Sequence, residues 1–383
     1  MSIPESASKV NAAVQLAATR QISDNGKAMD QTVFVINPGS TSTKIAVYRD
    51  KKRIFSESIP LEISGEEKNA GLEETLRIKK EAISRSLESQ GIDLRGFDCI
   101  MSRGGVLRPM ESGIYRINES MHSEVTASAA SGHASGFGLL IAGEMADSLG
   151  IPAYIADPVT VDELEDIARI TGIKEIRRRS IFHALNQKAV ARQHAAILGV
   201  PYEELNLIAA HLGGGITIGL HKQGRVTDVN NALDGEGPFT PERSGALPAA
   251  AVADLCFSGK YTREETVKLF AGKGGFMSHL GSNDLLKVKE MIAAGDRDAD
   301  LVYRAFVYNI AKAIGAMAAA GDGMIDGILI TGGIARWKEL VAAIRAKVSW
   351  IAPVSSYPGE FELEALRDAG LRVLRGDEIP REY

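Results

Sequence analysis

The sequence predicts a duplicated α/β fold, two related halves with a cleft between them, on three observations. Residues 33–48 (VFVINPGSTSTKIAVY) and 207–221 (LIAAHLGGGITIGLH) each run an apolar strand into a turn of small residues and leave by a second strand. A third strand and then alternating helical and strand patterns follow each hairpin, so the layout of one half recurs in the other. Each first strand ends on a polar residue, Asn37 or His211, beside a turn whose backbone N–H groups can face an anion without Cβ atoms in the way. Two such turns imply a polyphosphate gripped from both sides.

Strands are predicted over 33–37, 43–49 and 53–60, the last two joined by a turn at Arg49–Lys52. A helical stretch rich in Glu, Lys and Leu follows at about 70–90, then FDCIMSRGG (97–105), a strand running into a Gly-Gly loop. A long small-residue helical region covers 123–149, and the strand AYIAD (153–157) ends on an acid. A helix is predicted over 181–198, with Ser180 as its cap and Ile181, Leu185, Ala189 and Ala196 along an apolar stripe. His183 falls on its core-facing side, as a packing residue. The second half restarts with strands 207–212, 216–222 and 225–230. A loop dense in Gly, Pro and charge follows at 234–248, then helices, the strand DGILIT (326–331) and the turn GGIA (332–335).

A chain of 383 residues is long for one core, and two domains of ordinary size are expected. They are placed at 31–175 and 176–383, with 1–30 as an extension outside the fold. A net charge of −5 supplies no general attraction to nucleic acid or anionic membrane, so an anionic ligand must be drawn by local positive charge. Cys99 and Cys256, the two cysteines, have no metal-type spacing and point to a reducing cytoplasm. No apolar stretch has the length of a membrane span, since Lys312 interrupts the Ala-rich segment 310–320. The first thirty residues lack the apolar run of a secretory signal.

Chemistry concentrates in a few motifs. From Asn37 to Lys44 the turn offers Gly39 for closure, the hydroxyls of Ser40, Thr41, Ser42 and Thr43, and the Lys44 cation. Its glycine spacing differs from the GxxxxGK[ST] phosphate loop, and no helix follows directly. Gly213, Gly214 and Gly215 after His211 weaken a strand pair, a cost explained if another group must approach the backbone closely. The loop DGEGPFTPERSG (234–245) carries Arg243, and Arg103 sits in an equally tight Ser-Arg-Gly-Gly context in the other half. One arginine from each half would suit the joining of two anions. Asp157 can hold Mg²⁺ through water, and TGGIA (331–335) can admit an adenine or ribose against its backbone. Arg177-Arg178-Arg179 reads as a solvated turn before a helix. His122, His194, His221 and His279 have no partner evident in the sequence.

Taken together, INPGSTSTK (36–44), SRGG (102–105), RRSIFHALNQKA (178–189), HLGGG (211–215), DGEGPFTPERSG (234–245) and TGGIA (331–335) resemble the acetate and butyrate kinase family, closest to its butyrate kinase branch. The resemblance runs in the family's order from residue 33 to the C-terminus. It implies the duplicated actin-like ATPase (ribonuclease H-like) fold, with ATP and the acyl substrate in the interdomain cleft. It also implies ATP or ADP with Mg²⁺ as cofactor and a homodimer or higher homo-oligomer. Asn37, Ser40, Ser42 and Lys44 match the first phosphate turn, Gly213 to Gly215 the second, and Gly332 and Gly333 the adenosine turn. His211 matches the histidine near the transferred phosphoryl group, Arg243 the substrate-and-phosphate arginine, and Asp157 the aspartate near Mg²⁺. Ala210, Pro241 and Arg103 are placed at the acyl pocket.

Two departures stand out. Arg103-Gly-Gly replaces the family's His-Gly-Gly, so Arg103 takes either the role of that histidine or that of the arginine just upstream of it. Arg336 replaces a glutamate that helps position Mg²⁺, so the metal must be arranged differently. Acetate-acting relatives carry a bulky aromatic where this chain has Ala210. The space freed would favour a two-carbon-longer acid by roughly 1–2 kcal/mol, at about 0.8 kcal/mol per buried CH₂. The expected activity is reversible transfer of the ATP γ-phosphoryl group to butyrate, with isobutyrate, propionate or acetate as alternative acceptors. The alternative of another class is a nucleotide-switched binding protein on the same fold.

Overall fold

The computed structural model describes residues 30–38, 42–60, 72–130 and 136–383. Gly39, Ser40 and Thr41 of the first turn, and the extension before residue 30, lie outside the described residues. The chain forms two compact units. The first comprises the residues up to Leu107, Gly113–Ala156 and Leu363–Tyr383, and the second Arg108–Ser112 and Asp157–Glu362.

In the first unit, β1 (Thr32–Pro38), β2 (Ser42–Arg49) and β3 (Lys52–Pro60) form an antiparallel meander. Two parallel strands, β4 (Cys99–Ser102) and β6 (Ala153–Ala156), extend it beyond β1, and β5 (Ile114–Arg116) closes the edge antiparallel. The order is β3-β2-β1-β4-β6-β5. In the second unit, β7 (Asn206–Leu212), β8 (Ile216–Lys222) and β9 (Arg225–Val229) repeat the meander. Parallel β10 (Gly327–Gly332) and β11 (Val354–Pro358) give β11-β10-β7-β8-β9. Five strands of the first sheet repeat the topology of the second, three antiparallel strands followed by two parallel ones. That is the duplication the paired hairpins predicted.

Helices cover these sheets: α1 (Leu72–Ser89), α2 (Glu119–Ala130) and α3 (Phe137–Leu149) in the first unit, and α4 (Ala184–Leu198), α5 (Arg297–Ala320) and α6 (Lys338–Val348) in the second. The helical region expected as one at 123–149 is therefore two helices. The terminal helix α7 (Glu362–Arg375) packs on the first sheet, where a Cβ on Gly370 would meet Met101, Val33 and Cys99 at 2.9–3.3 Å. Among the described residues no helix is long and apolar enough to cross a membrane.

The start of α4 differs from its prediction. The helix begins at Ala184 with His183 as N-cap residue, and the Ser180 hydroxyl donates instead to Val161 O (2.7 Å). Leu185 is buried but Ala196 is exposed. Three consecutive polar residues, Asn186, Gln187 and Lys188, are almost fully buried beside it. Arg178 is likewise not a solvated turn residue. It donates to Asp228 and Glu236 and to the carbonyls of Ala168 and Val229, tying the chain before α4 to β9 and the loop after it.

Candidate active site

Strand alternation decides what each residue of the second hairpin faces. Across β7 and β8 the pairs Leu207–His221, Ala209–Gly219 and His211–Thr217 share one face, and α4 lies over that face. Gly219 matters because a Cβ there would lie 2.6 Å from Gln187 Oε1. The opposite face carries Ile208, Ala210, Leu212, Ile216, Ile218 and Leu220 in the apolar core beneath α5 and α6. Ala210 is thus buried in that core on the face away from His211. The expected pocket wall, and the preference for longer acids argued from it, does not follow from this position. A single residue of register separates a core residue from a site residue.

His211, one residue before the end of β7, has its Nδ1 on Asn186 Oδ1 (2.7 Å). His183, expected to be a packing residue, stacks on it with ring centroids 3.8 Å apart and planes 9° from parallel. His183 Nδ1 meets Thr217 Oγ1 at 2.9 Å. Beside the pair, the bare Gly213–Gly215 turn admits side chains no larger residue would allow. A Cβ on Gly213 would lie 3.1 Å from His211 Nε2, and one on Gly215 would lie 2.5 Å from Arg243 Nη1 and 3.3 Å from His183 Cε1. For Gly213 and Gly215 the cost is thereby accounted for: two imidazoles and a guanidinium crowd the same stretch of backbone.

Arg243 is held by its loop. Its Nη1 donates to Ala232 O (2.7 Å), and its backbone N–H donates to Thr240 Oγ1 (3.0 Å). The Thr240 hydroxyl in turn donates to Gly214 O (2.7 Å), joining the arginine loop to the glycine turn. A second segment clamps the loop from the other side. Gly272 and Gly274 N–H donate to Glu242 O, Met277 N–H to the carbonyl of the buried Pro241, and Phe276 N–H to Thr240 O. A Cβ on Gly275 would lie 1.7 Å from Thr240 O. Sequence reasoning missed this clamp, although the run Gly272-Lys273-Gly274-Gly275 was its signal. Burial pushes the Arg243 guanidinium pKa down while Glu242 opposes it, yet an arginine stays charged.

At the end of β10, Gly332 adopts φ +91°, and a Cβ there would lie 2.2 Å from Leu212 O, so both the angle and the space call for glycine. The single turn Gly333–Arg336 follows and leads into α6, the strand-to-helix turn expected from the sequence. Asp157 follows β6 with φ +40° and is buried, accepting from the Ser112 hydroxyl (2.6 Å) and Arg192 Nη1 (3.2 Å). Burial raises its pKa, but Arg192, Lys188 and Ser112 outweigh it and hold the carboxyl below the usual range. Among the described residues no three His, Cys, Asp or Glu side chains gather to hold a metal ion. A lone carboxylate against a guanidinium does not fit a protein-built Mg²⁺ site.

In the first unit, Asn37 and Lys44 are direct cross-strand partners at the mouth of the first hairpin, Asn37 buried and Lys44 exposed, with Ser42 half-buried two residues before Lys44. Arg103 leaves the end of β4 half-buried, its N–H donating to Ile36 O (3.3 Å). Helix α3 approaches so closely here that a Cβ on Gly138 would lie 2.6 Å from Pro38 and 2.7 Å from Ser102 Oγ. Of the histidines without evident partners, His194 meets Tyr357 Oη (2.7 Å), and His221 bridges Tyr202 Oη (2.6 Å) and Gln187 Oε1 (3.0 Å). His279 packs beside Phe239.

Two sheets that share a five-strand topology, each beginning in an antiparallel hairpin, define a duplicated actin-like α/β fold. The structure is similar to acetate kinase from Porphyromonas gingivalis (TM-score 0.73, 19% identity, covering 89% of this chain and 99% of that one). It is also similar to a propionate kinase from Francisella tularensis (0.71, 18%, 88% and 98%) and to acetate kinase from Entamoeba histolytica (0.72, 16%, 89% and 99%). Residues 168–349, which carry His183, His211, the glycine turn, Arg243 and Gly332, match the model of the acetokinase family.

Proposed function

We propose that this protein is a carboxylate kinase that transfers the γ-phosphoryl group of ATP reversibly to a short-chain fatty acid, with butyrate as the assigned acceptor. One observation carries the reading: the Arg243 guanidinium and the stacked His183–His211 pair converge on the side-chain-free backbone of Gly213–Gly215. A cation, a ring N–H and backbone N–H groups are what a transferring phosphoryl group requires. The family match supports the carboxylate as acceptor. The choice of butyrate rests on the resemblance of the sequence motifs to that branch.

A carboxylate is ionised at neutral pH and needs no general base. Catalysis then consists of aligning two anions and neutralising the charge that spreads over the equatorial oxygens. Arg243 bridges the acceptor carboxylate and the phosphoryl group, and the histidine pair supplies a ring N–H to an equatorial oxygen. The Gly213–Gly215 turn binds phosphate through its backbone, the Gly213 N–H being already bonded to Gly215 O, and Gly332 and Gly333 take adenosine. Asn37, Ser40, Ser42 and Lys44 are assigned to phosphate, Arg103 and Pro241 to the acyl group. The family resemblance implies a homo-oligomer, and the cysteine usage a reducing cytoplasm.

Acyl hydroxamate formation from ATP and hydroxylamine with butyrate, propionate or acetate tests the assignment. Butyrate should give the highest kcat/KM, and Arg243→Ala should lower kcat far more than it weakens ATP binding. No hydroxamate from any acid would refute the activity. Faster turnover of acetate or propionate would refute the acceptor alone.

A further inference from the structure

Behind the stacked histidines lies a buried chain of polar groups that the proposed transfer does not itself use. Gln187 is fully buried, and its Nε2 lies 3.0 Å from Thr217 O and 2.8 Å from Thr217 Oγ1. A backbone carbonyl can only accept, so the amide nitrogen must face Thr217 and the amide oxygen must face His221. His221 Nε2, 3.0 Å from that oxygen, therefore carries a proton. Burial, with Lys188 and Arg192 nearby, pushes the His221 pKa down to about 3, so the ring is neutral. Its Nδ1 is then a lone pair, and Tyr202 Oη donates to it across 2.6 Å. Every group in the chain points the same way.

The direction continues to the site. Thr217 Oγ1 accepts from Gln187, and among the described residues the acceptor within reach of its own buried proton is His183 Nδ1, at 2.9 Å. His183 is thus left with its proton on Nε2. The neighbouring ring is set oppositely. Asn186 Nδ2 donates to the carbonyl of Glu360, which turns Oδ1 toward His211 and requires the proton on His211 Nδ1, 2.7 Å away. The hydrogen bond made by one ring nitrogen decides what the other can do.

We propose that Tyr202, His221, Gln187 and Thr217 form a one-directional hydrogen-bond relay that fixes His183 as its Nε2–H tautomer, while Asn186 fixes His211 as the Nδ1–H tautomer. While both rings are neutral, the two differ at Nε2: His183 carries a proton there and His211 a lone pair. The consequence for phosphoryl transfer rests on the carboxylate kinase reading, but the tautomers themselves do not. The four relay residues and Asn186 are positioning residues, acting through the two imidazoles. Gly219 belongs to the device, since the space its missing Cβ leaves is where Gln187 Oε1 sits.

The test is long-range ¹H–¹⁵N correlation of the ¹⁵N-histidine-labelled full chain without nucleotide, assigned with His183→Gln, His211→Gln and His221→Gln. His183 and His221 should show protonated Nε2 and bare Nδ1, and His211 the reverse. Thr217→Val should abolish the single-tautomer pattern of His183, and Thr217→Ser should keep it. If the ring is the donor, kcat of Thr217→Val falls by about tenfold, the scale of one lost hydrogen bond, with KM for ATP within about twofold. Thr217→Ser should restore kcat. A native His183 protonated on Nδ1, or a His183 pattern indifferent to Thr217→Val, overturns the relay. The native spectrum needs no variant to fold. If the tautomers appear as stated and the wild type makes no acyl hydroxamate, the relay stands and the kinase reading falls.

Discussion

Gly215→Ala perturbs the site by a single methyl group. The backbone at Gly215 is outside the positive-φ region, so alanine is conformationally admissible, and it lowers the entropy of the unfolded chain. The new Cβ would lie 2.5 Å from Arg243 Nη1 and 3.3 Å from His183 Cε1, whereas ordinary contact begins at 3.4 Å. The guanidinium must therefore retreat by about 0.9 Å (3.4 − 2.5), while the histidine barely moves. A retreat of that size stretches the 2.7 Å bond to Ala232 O and shifts the cation away from the bare turn. A misplacement of about 1 Å at a positioning group can cost 10²-fold in rate. Acyl hydroxamate kinetics should accordingly show kcat down by about 10²-fold, with thermal unfolding close to wild type. A folded variant whose kcat stays within about threefold of wild type would refute the placement of Arg243 at the reacting groups.

Gly332→Ala meets backbone instead of a movable side chain, with its Cβ 2.2 Å from Leu212 O at φ +91°. It should destabilise the protein by about 2–4 kcal/mol, and an unchanged urea midpoint would show that β10 is not held this way. Ala210→Val should overpack the core and cost about 1–3 kcal/mol while leaving the ratio of kcat/KM for butyrate and acetate unchanged. A shifted ratio would return Ala210 to the pocket. His221, held neutral down to about pH 3, resists a proton that the unfolded chain accepts near pH 6.5. Stability is full above pH 6.5 and falls as pH drops through that window. Between pH 6.5 and 5 the loss should be about 2 kcal/mol greater in the wild type than in His221→Gln, at about 1.36 kcal/mol per unit over 1.5 units. Parallel urea-unfolding profiles for the two proteins would count against it.

Much of this fold was legible in local pattern. Apolar strands broken by small-residue turns at 38–42 and 213–215 marked both hairpins, and Gly332-Gly333 marked the turn after β10. These signals are short-range, because a hairpin or strand-to-helix turn is encoded within the residues that form it. Where expectation failed, the deciding partner lay far along the chain. Ser180 had the chemistry of a cap, but Val161 O took its proton. Arg178 looked solvated until β9 and Glu236 closed on it. Asn186-Gln187-Lys188 did carry a warning. Three polar residues in a row span most of a helix's circumference at 3.6 residues per turn, so a helix lying on a sheet had to bury some of them.

The sequence by itself determined the duplication, the two hairpins, and the residue types of the candidate site: His211, the triple glycine and Arg243. Tertiary structure alone decided which side of the sheet each residue serves. Ala210 and His211 are adjacent in sequence and face opposite ways, one into the apolar core and the other onto His183. The tautomers of the stacked rings are likewise beyond any local reading. They depend on carbonyls of Thr217 and Glu360, 30 and 174 residues from the amides they orient. Backbone acceptors are the same in every sequence, and only folding brings a particular one to a particular amide.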